Sequence, residues 1–221
     1  MNKETVTTLK NLEILKALNW RYAVKVFNPN KKVSDEDLYT ILESGRLSPS
    51  SSGIEMWKFI VVENPDIRKK LREVGDDQPK ITDASHLIVL TYRTDIEENL
   101  VKERLERTAK IQNQRIEELD GLKSVLEGGL AKHIKQEDLE AWAKSQTYIP
   151  LGMMLETASL LGVDAGPMEG FTNEKVDEVL ELQAKNLKSV TMLALGYRGL
   201  DPASTRPKVR REFDEVIEFI K

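Results

Sequence analysis

The chain has 221 residues, 40% of them hydrophobic, which is enough to bury a core in an ordinary globular protein. Its 33 basic and 37 acidic residues leave a net charge of -4, so there is no general attraction to nucleic acid or to an anionic membrane. With no cysteine there are no disulfides, thiolate nucleophiles or cysteine-held zinc or iron–sulfur clusters, and two histidines without an H-E-x-x-H argue against metal catalysis. No apolar run approaches the ~20 residues of a membrane span, and the polar N-terminus with Lys3, Glu4 and Lys10 lacks a signal-peptide core, so a cytoplasmic protein is expected.

Val6, Leu9, Leu12, Leu15 and Leu18 recur every three residues and predict an opening helix ending near Asn19, its apolar stripe needing something to pack on. Ser34 with Asp37 resembles a capping box, and Leu38, Ile41 and Leu42 carry a second helix to Gly45. The proline- and serine-rich "GRLSPSSSGIEMW" follows, with more hydroxyls than a plain loop needs. "KFIVVE" reads as a buried strand, and Asn64-Pro65 starts a helix, because proline is tolerated at the first helical position. "LIVLTY" (87–92) and "SVTMLALGY" (189–197) are continuous apolar runs suited to covered strands, and "LGVDA" reads as a shorter strand. From about 97 to 140 a Lys-, Glu-, Arg- and Gln-rich excursion is helical and largely exposed, either a solvated helical pair or a mobile cover for a site. Trp142 to Leu161 predicts one long helix despite Pro150 and Gly152, and "EFDEVIEFI" is amphipathic with no strand left to cover, which makes a partner subunit one destination for it. Without repeats or a low-complexity linker, residues 1–221 are expected to form a single α+β domain.

Arg21 and Lys25 follow the first helix, and Lys208 and Arg210 follow the last strand. Such pairs from opposite ends of the chain can close on one phosphate. "GPMEGF" (166–171) flanks a proline and a glutamate with glycines, a turn whose free amides can donate to a heteroatom. His86 is read as a core or interface residue and His133 as exposed, while Tyr92 and Trp142 are read as packing residues.

Six segments in register resemble the FMN-dependent nitroreductase family over nearly the whole chain. "RYAVKVF" is similar to its R-x-S-x-K-x-F opening, "SPSSSGIEMWKF" to S-P-S-S-x-N-x-Q-P-W-x-F and "TDASHLIVL" to its D-A-S/P strand entry. "WAKSQTYIPLG" matches its glutamine- and tyrosine-bearing helix, "DAGPMEGF" its P-x-E-G-F turn and "RPKVR" its terminal K-x-R. The resemblance implies a three-layer α/β/α fold with a mostly antiparallel central sheet and an intertwined homodimer with FMN at the subunit interface. It also implies hydride transfer from NADH or NADPH through flavin N5 to a nitroaromatic, quinone or related small-molecule acceptor by a ping-pong mechanism.

By the same resemblance, Arg21, Lys208 and Arg210 hold the FMN phosphate, with Tyr22 and Ala23 in the same segment. Lys25 and Lys80 lie at the pyrimidine edge of the ring, where positive charge favours reduction. Pro49, Ser50, Ser51 and Gly53 face the flavin across the dimer, and Gln146 lies near the ribityl end. Pro167, Met168, Glu169 and Gly170 form a turn from which Glu169 and Gly170 direct backbone amides toward N5, and Asp77 or Gln78 meets N3 and O4. The flavin carries the hydride, so no side chain is required as a catalyst. Ala23 stands where the family has serine, and Gly53, Glu55 and Met56 replace Asn, Gln and Pro. The excursion is expected to line the acceptor pocket. Three other readings remain open: a specialised flavin reaction on the same fold, a non-catalytic FMN-binding redox sensor, and a helical interaction protein without cofactor.

Overall fold

The computed structural model describes residues 8–221, apart from the side chain of Glu98. Val6, Lys3 and Glu4 therefore lie outside the described residues. The first helix, α1 (Leu9–Trp20), is followed by α2 (Asp35–Arg46) and then the first strand, β1 (Trp57–Val61). Next come α3 (Pro65–Val74), the single turn α4 (Lys80–Asp83) and β2 (His86–Arg93). The excursion holds α5 (Ile96–Gln112), α6 (Asp120–Lys135) and α7 (Leu139–Gln146), and α8 (Tyr148–Leu160) leads into β3 (Asp164–Met168). The chain closes with α9 (Asn173–Val179), β4 (Leu187–Gly196) and the short α10 (Phe213–Val216).

The four strands form one antiparallel sheet in the order β1-β2-β4-β3. The runs Leu87–Leu90 of β2 and Met192–Leu195 of β4 are apolar because both sheet faces are covered there. Leu87, Val89, Met192 and Ala194 point into a core closed by α3, α4 and α9, while Ile88, Leu90, Leu193 and Leu195 alternate into a second core under α2 and α8. This is a three-layer α+β architecture. The pairing slips between Leu90 and Thr91, and beyond the slip Tyr92 and Val190 join a third cluster with residues of α5, α6 and α7. The excursion is therefore helical and largely exposed, as composition suggests, yet it keeps a buried seam of Leu100, Leu105, Leu126 and Leu130.

Local chemistry explains most boundaries. Asn64 accepts from the amides of Asp66 and Ile67, with Pro65 at the first helical position. Ser34 Oγ accepts from Asp37 N, half of the expected capping box. Gly45 does not stop α2, which runs on to Arg46. A Cβ there would stand 2.1 Å from Met154 Cε, so this glycine lets α2 seat on α8. The long helix expected from Trp142 to Leu161 is two helices that meet at Thr147, which places Pro150 in the first turn of α8, where its missing amide costs little. "LGVDA" is not a strand as a unit: β3 begins at Asp164 and continues through Pro167 to Met168, so half of the expected turn is sheet.

His86 opens β2 half-buried beside Ser85, while burial and then Arg68 push its pKa down. His133 is not simply exposed: it stacks on Trp142 at 4.1 Å, and its Nδ1 lies 2.9 Å from Asp138. Tyr92 is buried and donates to Glu140, and Trp142 packs on the third cluster. Among the described residues no helix is long and apolar enough to cross a membrane, and no group of His, Asp and Glu is placed to hold a metal.

Candidate functional site

The segment after α1 runs along the outer edge of β3. Val24 N donates to Ala165 O, and Phe27 bridges Arg198. The approach is so close that a Cβ on Gly166 would lie 2.6 Å from Val24 O, which explains that glycine. Two anchors hold the segment. Arg198 pairs with buried Asp164 while stacking on Trp20 at 4.3 Å and Tyr22 at 4.7 Å. Asp201, almost fully buried, accepts from Tyr22 Oη, Lys25 N and Ala203 N. Burial opposes ionisation of Asp201, but the amides of Ala203 and Lys25 and the Tyr22 hydroxyl together hold its pKa below the ordinary value.

Between these anchored stretches opens a cleft of about 280 Å³ lined by Arg21, Tyr22, Ala23, Ser204, Arg206, Lys208 and Arg210. None of its four cations has a carboxylate partner among the described residues. Burial, followed by repulsion from Arg210, lowers the pKa of Arg21; burial, Arg21 and Arg210 lower that of Lys208. Arg21 Nε is buried with no hydrogen-bond partner. Lys208 Nζ already donates to the carbonyls of Leu18 and Arg21, binding the chain end to the C-terminus of α1. Uncompensated, mutually repelling and partly orphaned donors in one cleft fit an oxyanion with several acceptor oxygens, such as a phosphate.

Lys25 does not line that cleft. It lies instead near Lys80, whose buried ammonium stands 3.5 Å from Pro167 O and whose pKa is lowered first by burial and then by Lys25. Gln78 Nε2 donates to Gly170 O at 2.8 Å, whereas Asp77 turns outward to Arg72 at 2.7 Å. Of the two candidates for one contact, the fold therefore brings Gln78 to the turn. The Met168 side chain is in the core, its carbonyl accepts from Thr191, and its backbone pairs with Met192 of β4, so Met168 faces the sheet rather than the turn. The Tyr148 phenol is pushed up to about 12, by burial first and then by the neighbouring Glu169 carboxylate.

The proline–serine loop is a third cluster. Ser50 Oγ accepts from Glu55 N, and Ser51 N donates to Gln146 Oε1 at 2.8 Å. Pro49 and Ser51 are exposed, and Ser52, Gly53 and Glu55 have φ of 54°, 64° and 57°. Gln146 thus belongs with this loop, two residues before Tyr148 and the 169 turn. The excursion reaches the loop: a Cβ on Gly129 of α6 would lie 3.7 Å from Ser52 Oγ.

Reading the sequence missed Asp201 and Arg206, and placed Tyr148 in the glutamine- and tyrosine-bearing motif without giving it a role. Asp201-Pro202 carries a helix-start signal that could have marked the anchor, since the carboxylate caps the short turn Pro202–Thr205. Nothing local marks the nearness of Tyr148 to Glu169, which lies in another segment.

Residues 18–197 match the family model described as the nitroreductase family. The Bacillus subtilis protein named "Putative NAD(P)H nitroreductase YfkO" is 40% identical, over 94% of this chain and 97% of its own. A Staphylococcus haemolyticus protein similarly named "Putative NAD(P)H nitroreductase SH0546" is 36% identical, over 94% and 97%. The fold matches a nitroreductase-like protein from Streptococcus mutans with a TM-score of 0.82 at 20% identity, covering 95% of this chain and 99% of that one. It also matches a protein from Exiguobacterium sibiricum whose structure was solved in complex with FMN, with a TM-score of 0.78 at 19% identity, covering 95% and 96%. The chain is a member of the nitroreductase family of oxidoreductases.

Proposed function

We propose that this protein is an FMN-dependent oxidoreductase that alternately accepts hydride from NADH or NADPH and delivers it to a nitroaromatic, quinone or related acceptor. The observation carrying this reading is the cationic cleft, where Arg21 Nε is a buried donor without an acceptor and Arg206, Lys208 and Arg210 lack carboxylate partners among the described residues. FMN has the dianionic phosphate such a cleft would hold, and when bound it supplies hydride transfer between the two substrates. Arg21 and Arg210 grip the phosphate, while Lys208 adds charge and fixes the cleft against α1. Lys25 and Lys80 place positive charge beside Pro167, where it offsets the electron density gained on reduction. Gln78 holds the turn carrying Glu169 and Gly170 by the Gly170 carbonyl, and Tyr148 stands beside the Glu169 carboxylate. In each turnover with a nitro compound, the nicotinamide loses a hydride. The nitro group gains two electrons and, with two protons, is converted to a nitroso group and water.

Pro49, Ser50, Ser51, Gly53 and Gln146 serve as the wall of the flavin pocket contributed across a homodimer. The exposed apolar side chains of α1, with Leu9 80% exposed, and those of the C-terminal stretch, with Ile220 94% exposed, are the surfaces a second copy covers. The test compares FMN with riboflavin, which lacks the phosphate, in titrations of the apoprotein. FMN should bind at least ~100-fold more tightly, about 2.7 kcal/mol, as charge-assisted phosphate contacts imply. Equal affinities would remove the cleft from the account.

A further inference from the structure

Two buried side-chain nitrogens lack hydrogen-bond partners among the described residues, and Arg21 Nε accounts for only one. The other is Nε of Arg104, on α5. Its guanidinium lies over the proline–serine loop. A Cβ on Gly53 would stand 3.0 Å from Arg104 Nη2, 3.3 Å from Cζ and 3.4 Å from Nε. Glycine is favoured there by its φ of 64°, and the space a side chain would take is occupied by the guanidinium. Neighbouring cations are paired. Arg107, one turn along, meets Glu55 at 3.2 Å, and Arg93 is bound to Asp95 and Glu103. Asp95, Glu103 and Glu55 are thus engaged by other cations, while Arg104 makes no ion pair among the described residues. A fork of donors pressed against backbone, one of them buried and unmatched, fits a planar oxyanion supplied from outside the chain. The loop motif that this segment resembles has asparagine at position 53, so the chain has exchanged a neutral amide for a cation reaching in from the excursion.

We propose that Arg104 is a specificity-determining residue that receives a carboxylate on the electron acceptor, giving anionic nitroaromatics an advantage over neutral ones of the same shape. This rests on the reading of the proline–serine loop as a wall of the flavin pocket. The test uses the FMN-loaded protein and its Arg104→Ala and Arg104→Lys variants with 4-nitrobenzoate and the neutral 4-nitrobenzamide. The wild type should show a kcat/KM ratio of at least ~10 in favour of the benzoate, a ratio that falls to about 1 in R104A and to an intermediate value in R104K, which keeps the charge and loses the fork. Independently of turnover, benzoate binding to the oxidised protein, followed by perturbation of the flavin spectrum, should weaken at least ~10-fold in R104A. Should R104A fail to fold, R104K and Arg104→Gln carry the same comparison.

An unchanged ratio and unchanged benzoate affinity in a yellow, active variant would overturn the assignment of Arg104 alone. The donor's diphosphate offers the same chemistry. A loss confined to NADH and NADPH, sparing the phosphate-free donor N-benzyl-1,4-dihydronicotinamide and the benzoate preference, would assign Arg104 to the donor and contradict the proposal. A wild-type protein that binds no FMN would sink the flavin reading and this inference together.

Discussion

Four cations in one cleft make residues such as Arg21 costly unless an anion offsets their charge. Lys208 and Arg21 both have lowered pKa values, so each holds its proton less tightly folded than unfolded. A charged base of this kind costs stability at neutral pH, and for Lys208 the cost is lifted as pH rises from its folded value toward the ordinary 10.5. An oxyanion lifts the same cost at pH 7. Inorganic phosphate should therefore raise the Tm of the apoprotein by several degrees at pH 7 and by less near pH 10. Arg21→Ala should lose most of that response and Arg210→Ala a smaller part, because Arg210 is exposed and donates to Val209 O. A Tm indifferent to phosphate would show that the cleft binds no anion. At this scale the sequence revealed the charged residues but not their directions. Arg21, Lys208 and Arg210 were legible from their place beside turns and in two motifs. That Gln78 turns inward and Asp77 outward depends on Arg72, and that the Met168 side chain is buried depends on the length of β3; neither has a local signature.

Elements were most legible where one physical rule acts alone. Asn64-Pro65 caps and starts α3, and the apolar runs of β2 and β4 are strands covered on both faces. They were misread where tertiary packing decides. Gly45 looks like a helix stop, but the contact with Met154 that explains it comes from more than a hundred residues away. Gly45→Ala should consequently destabilise the protein. Overpacking typically costs 1–3 kcal/mol and outweighs the roughly 1 kcal/mol gained in helix propensity. A urea midpoint lowered in Gly45→Ala, and partly restored when Met154→Ala is added, is the expected result; an unchanged or raised midpoint would mean that α2 and α8 adjust freely. Pro150 misled in the same way. Its place in the first turn of α8 becomes clear once the break at Thr147 is seen, and that break also sets Gln146 beside the proline–serine loop and Tyr148 beside Glu169.

Across the described residues, the unusual feature is how much apolar surface is left uncovered on α1 and on the C-terminal stretch. α1 has no buried residue, and Phe219 and Ile220 lie open at the terminus. The amphipathic pattern of both ends was legible in the sequence, but what covers them was not, because a partner's surface leaves no trace in the period of the stripe. Sedimentation of the loaded protein should give the mass of two chains, and removal of residues 211–221 should shift it toward one. A stable single-chain species that retains FMN would separate the flavin site from the interface. The central claim is more demanding, since it requires the assembled cleft, loop and turn to pass electrons. The most direct measurement is the visible absorption spectrum of the purified protein without oxygen, before and after NADPH and, separately, NADH. A flavin band that bleaches within seconds of adding either donor and returns on adding a nitroaromatic is the predicted result; a band that persists, or a colourless protein that takes up no added FMN, would contradict it.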